Sequence, residues 1–218
     1  MDTNWSGREA LVTLLTLELG DPAEARAFAE IIASDVLQWK PPTIFPREVQ
    51  TIVAYTFGNR FEANGNRSPG PVNAALAEVA VRLHEETGAP VYAQWEVAEA
   101  IGARIPSRCL ISITPLRDAR AEPVYLSTGG VAAAIVRHAG DPKRLGKVAV
   151  IGFADHIKRC IDMTCRAGLD AAAPTGYAMP TTYDADSGQP WTRSRLIYLL
   201  HDVMCRIEDR RNQLIAKG

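Results

Sequence analysis

The chain has 218 residues, 47% of them hydrophobic and 22% charged, the make-up of an ordinary globular protein with a sizeable buried core. Its 24 Lys and Arg are balanced by 25 Asp and Glu, so no broad electrostatic pull on nucleic acid or anionic lipid is expected, and neither partner is favoured. The start, "MDTNWSGREALVTLL", has an acid at position 2 and no long apolar run, which fits neither a secretory signal nor a membrane anchor and points to the cytoplasm.

Residues 6 to 39 read as two helices. Leu11, Leu14, Leu15, Leu17 and Leu19 crowd the first, Gly20 joins them, and Asp21 with Pro22 supplies the cap and first position of the second. Three prolines in "KPPTIFP" (40 to 46) then mark a connector. Strands and helices alternate from there: a strand "TIVAYTF" (51 to 57), a Gly/Asn-rich loop, an Ala-rich helix over 71 to 88 closed by Gly88, and a strand "PVYAQW" (90 to 95) with a short helix after it. A third strand is expected at 108 to 115, a helix at 129 to 140, the clearest buried strand at 147 to 153, and a helix at 156 to 168. A weak strand around "LDAAAPTGY" and a terminal helix from about Thr192 to Lys217 complete the chain.

Strands separated by helices of this length pair in parallel, because a parallel connection needs a crossover. Continuous apolar strands such as "VAVIGF" lack the polar alternation of a half-exposed sheet. The expected fold is α/β, a three-layer sandwich with a mainly parallel, Rossmann-like sheet and an N-terminal helical hairpin. The hairpin (1 to 45) is expected to pack on the α/β part (46 to 218) as one structural domain. In such folds ligands bind at the carboxyl ends of the strands.

Three segments follow strands and carry more polar chemistry than a turn needs. The first, "TFGNRFEANGNRSPGP" (56 to 71), offers Gly58, Asn59, Arg60, Asn66, Arg67 and Ser68 ahead of a helix start, a setting that can receive an anion or serve as a polar surface loop. It matches no dinucleotide or Walker fingerprint. The second, "YLSTGGVAAA" (125 to 134), has Ser127, Thr128 and Gly129 before a helix, which suits capping as well as ligand contact. The third is "ADHIKR" (154 to 159). Asp155 is expected as the N-cap, His156 and Arg159 share a face, and a histidine at a helix N-terminus is expected to stay neutral and available as an acid or base. Glu96, next to Trp95 at the end of the second strand, can transfer a proton or cap the short helix.

Cys109, Cys160, Cys165 and Cys205 form no CxxC pair and are expected as thiols. No zinc-binding motif joins the four histidines, so no metal is expected.

The order of these pieces, with "STGGVAAA" and then "VAVIGFADHIKR" placing His156 and Arg159 as H-x-x-R, resembles the YdcF/SanA/ElyC-like family over roughly residues 50 to 210. The family's Ser-Gly-Gly after the second strand is replaced here by Gln94, Trp95 and Glu96. Its T-x-x-N is reduced to Thr128, with Val131 at the asparagine position. The resemblance implies a Rossmann-like sandwich with a strand-end cleft, and S-adenosylmethionine as a ligand of one bacterial member.

Three functions fit these readings. An enzyme would act on a small anionic or nucleotide-like metabolite, with Arg60 and Arg67 holding the anion, His156 as acid or base, Arg159 stabilising charge and Glu96 orienting or transferring a proton. A non-catalytic binder would recognise S-adenosylmethionine or a related nucleotide, with Trp95 and Tyr55 stacking on its base. An interaction protein would present the apolar faces of its first and last helices, faces that packing on the sheet explains equally well.

Overall fold

The computed structural model describes residues 6–115 and 126–217. The chain forms two compact units, an α/β unit spanning Pro41–Leu199 and a helical unit that combines Met1–Lys40 with Leu200–Gly218.

In the α/β unit the apolar runs become a six-stranded sheet. Its strands are β1 (Thr43–Ile44), β2 (Thr51–Ala54), β5 (Val91–Gln94), β6 (Leu110–Ile113), β7 (Lys147–Ile151) and β8 (Asp170–Pro174), in the spatial order β1-β8-β7-β2-β5-β6. Every pairing is parallel. A separate antiparallel pair, β3 (Arg60–Phe61) and β4 (Arg67–Ser68), lies in the long polar loop. Successive strand residues point to opposite faces, and the core follows that alternation. Ile52 and Ala54 of β2 pack with α3 (Gly70–Thr87) and α4 (Trp95–Ile101) on one face. Val53 of β2 packs with α5 (Thr128–Ala139) and α6 (Ile157–Arg166) on the other. This is the three-layer, Rossmann-like sandwich expected from the sequence.

Two segments depart from expectation. The proline-rich connector contributes β1, an edge strand whose register aligns Thr43 with Ala173. Edge positions tolerate prolines because one side of the strand needs no ladder bonds. The strands at 51 and 147 also stop short of their apolar runs, at Ala54 and Ile151; Tyr55, Phe57 and Phe153 continue past the ladder as buried aromatics.

The helical unit holds α1 (Ser6–Leu19), α2 (Pro22–Ile31) and the greater part of α7 (Arg195–Ile215), whose first five residues belong to the α/β unit. Asp21 caps α2 as the sequence predicts, accepting from the N–H groups of Ala23 and Glu24 at 2.9 and 3.1 Å. A π-helical turn, Ile32–Val36, extends α2. Its end is gripped by α7: Arg206 donates to the carbonyls of Asp35 and Gln38, and Arg210 makes a two-pronged pair with the Asp35 carboxylate. Those contacts occupy carbonyls that a helix end leaves open. No helix among the described residues is long and apolar enough to cross a membrane.

Candidate functional site

The chain enters the sheet at β2, builds outward through β5 to β6, then returns to the other side of β2 as β7 and β8. The helix after β2 covers one face and the helix after β7 the other. The carboxyl ends of β2 and β7 therefore diverge at a topological switch point, the place where open α/β sheets bind ligands. Both expected polar exits, residues 55–60 and 152–156, start there.

Aromatic rings floor this switch. Phe57 stacks on Phe153 with centroids 4.0 Å apart, and Tyr198 meets Phe57 edge-on at 4.6 Å. The His156 ring stands 6.1 Å from Phe57 and 5.9 Å from Tyr198 and is buried. One turn later Arg159 donates to the Thr128 hydroxyl at 3.1 Å and to the Tyr198 hydroxyl at 3.2 Å. His156, Arg159 and Thr128 are thus brought together as the sequence expects.

Asp155 is not the cap of α6. The helix starts at Ile157, His156 occupies the cap position without a side-chain bond, and the Asp155 carboxylate accepts from the Tyr183 hydroxyl and from two nitrogens of Arg195. Tertiary partners outcompete the local bond. Ser127 does cap α5, accepting from the Gly130 N–H at 3.1 Å. Around Gly129 only the Met163 sulfur would meet an added Cβ, at an ordinary 3.5 Å.

On the other side of the β2 exit stands Glu96, in the first turn of α4 and only 3% exposed. Burial pushes its pKa up to about 7, against the lowering pull of its own backbone N–H, the Thr56 side chain, the Arg67 charge and Asn59. Its Oε2 is buried with no hydrogen-bond partner, and so is Oδ1 of Asn59. A buried acceptor left unpaired costs about 1–3 kcal/mol.

The loop between these groups is held by a residue that the sequence reading did not single out. The Asn73 carboxamide accepts from the Thr56 hydroxyl and the Phe57 N–H, and donates to the carbonyls of Gly58 and Pro69. Gly58 turns with φ +72°, and a Cβ there would sit 2.5 Å from Ser187 Oγ. An asparagine in the first turn of an Ala-rich helix, "GPVNAAL", was the available signal; Tyr198 and Ser187 carried none.

Other expected contacts fall elsewhere. Arg60 forks onto Asp184, with both bonds at 2.8 Å, and reaches Asp186 at 3.3 Å; its donors face carboxylates, and the pair holds the Asp184 pKa below its ordinary value. Asn66 and Ser68 shape the β3–β4 hairpin, through Glu62 N–H to Asn66 C=O at 2.8 Å and the pairing of Ser68 with Arg60. The Arg67 guanidinium lies over the Phe61 ring. Tyr55 cannot stack on a ligand base: it is 1% exposed and its hydroxyl bonds Thr164. Trp95 lines a groove of about 590 Å³ with Ala98, Ile105, Leu110 and Ser112, between α4 and β6. His84, expected on a solvated face, is half-buried, with Nδ1 on the Ala89 carbonyl. No group of three metal-ligating side chains occurs among the described residues, and the four cysteines are thiols.

No protein family, curated protein or solved structure gives a significant match to the chain.

Proposed function

We propose that the chain is an enzyme acting on a small anionic or nucleotide-like metabolite at the β2–β7 switch, with His156 and Glu96 as the proton-transferring pair. The observation that carries this reading is Glu96. A carboxyl almost wholly withdrawn from water, with one oxygen unpaired and a pKa near 7, is costly for a structural role and suited to acid–base work at neutral pH. His156 flanks the same exit loop, one residue beyond Asp155, and Arg159 lies a turn further on to stabilise charge. With Arg60 neutralised by Asp184, the anion falls to Arg159 and Arg67. The H-x-x-R resemblance to the YdcF/SanA/ElyC-like family supports the same pair.

A thermal-shift panel of phosphorylated and adenosyl metabolites, followed by turnover assays on every stabilising compound, tests the reading. The expected result is one anionic ligand that is turned over, with His156→Ala lowering kcat by about 10²–10⁴-fold in a protein of unchanged circular dichroism. Full turnover in His156→Ala and Arg159→Ala removes the assignment. Stabilisation by S-adenosylmethionine without turnover supports the binder instead, a reading favoured by the Trp95 groove, whose volume falls in the ~300–1,000 Å³ range of small-molecule sites.

A further inference from the structure

We infer that the helical unit is a homodimerisation module, a role independent of the proposed chemistry. Its own core is very small: among the described residues the buried apolar side chains are Val12, Ala25 and Ala29, and the other buried groups are the Asp202–Arg206 pair. Against this, Leu14, Leu17, Leu200, Met204, Leu214 and Ile215 are each 52–76% exposed. Together they leave on the order of 800 Å² of apolar side chain in water, above the ~300–600 Å² of a typical monomer's largest patch and equal to what each partner gives a standard interface.

The arrangement selects the occupant. On α7, Leu200, Val203, Ile207 and Leu214 follow the three-and-four spacing of a helix–helix seam, with Val203 and Ile207 half-buried. On α1, Leu14 and Leu17 are one turn apart on the side opposite the buried Val12. Seams of this kind are matched by helices of the same spacing, and a second copy supplies them through an isologous contact. A lipid surface fits less well, because exposed Glu9, Glu18 and Glu208 accompany these faces and interfacial helices carry mainly Lys and Arg on their polar side.

Sedimentation velocity of the full chain from about 1 to 100 μM reads the assembly directly, at affinities within the ordinary range for dimers. The expected result is a dimer, converted by Leu17→Glu with Met204→Glu to a monomer with unchanged circular dichroism; both positions are over 70% exposed, so the monomer loses no core. A wild-type monomer throughout, or a dimer untouched by the two substitutions, overturns the inference. So does a monomer that co-sediments with phosphatidylserine vesicles, which assigns the faces to lipid. If the double variant unfolds, the wild-type profile alone decides.

Discussion

One carboxamide holds the β2 exit in shape, and its removal has a computable consequence. Asn73 satisfies two donors and two acceptors of residues 56–58 and 69 and is fully buried. Asn73→Ala leaves those groups unpaired, and at about 1–3 kcal/mol for buried unsatisfied polar groups the expected loss is roughly 3 kcal/mol, read by urea denaturation. A loss below ~0.5 kcal/mol, the size of a neutral surface change, shows that the loop does not depend on it. Glu96 makes a prediction in pH. Its folded pKa is raised from 4.5 to about 7, so the folded state keeps the proton more tightly than the unfolded chain. That stabilisation is fully present below pH 4.5 and is lost as pH rises to 7, amounting to about 3 kcal/mol. Glu96→Gln, which cannot ionise, is therefore expected to gain stability over wild type at pH 8 and to match it at pH 4. Parallel stability profiles across this range sink the assignment of a buried, titrating carboxyl.

At the scale of elements, the strands and their order of alternation with helices were legible because burial on both faces writes continuous apolar runs such as "VAVIGF". Caps at Asp21 and Ser127 were legible for the same local reason, since the side chain and its N–H partners lie within three residues. Asp155 failed that logic because Arg195 and Tyr183, 40 and 28 residues away, offered a stronger charged and hydroxyl partnership than one backbone N–H. Arg60 was misassigned in the same way: nothing local announces Asp184. The site was thus readable as positions on strand ends, while its electrostatics depended on tertiary pairing. The π-turn after α2 shows the same dependence, its carbonyls being met by Arg206 from the far end of the chain. Arg206 is 6% exposed and its partner Asp202 is fully buried. Arg206→Ala strands a buried carboxylate, and a cost of roughly 3–5 kcal/mol is expected. Replacing both partners, Arg206→Met with Asp202→Leu, is expected to recover most of it, because no unpaired charge remains. Equal losses in the single and double variants mean that Arg206 acts through its carbonyl bonds to Asp35 and Gln38 and not through the ion pair.

Across the whole molecule, burial is distributed very unevenly. Ile52, Val53 and Ala54 of β2 and Val148 to Ile151 of β7 are all at 0% exposure, so their amides exchange with solvent only when the sandwich opens as a unit. The helical unit rests on three small buried apolar residues and a buried ion pair, and its helices can open without disturbing the sheet. Hydrogen exchange is therefore expected to show the strongest protection at β2 and β7 and the weakest at α1 and α2 in dilute solution. Association adds a free energy that grows with protein concentration, because only the closed helices present a pairing face. Raising the concentration across the dimer range should increase protection in α1 and α7 while leaving β2 unchanged at its global limit. Protection of α1 equal to that of β2 in dilute monomer would mean that the unit has a source of stability beyond its own core. Protection that stays low at every concentration would separate the weak core, which stands, from the pairing, which does not.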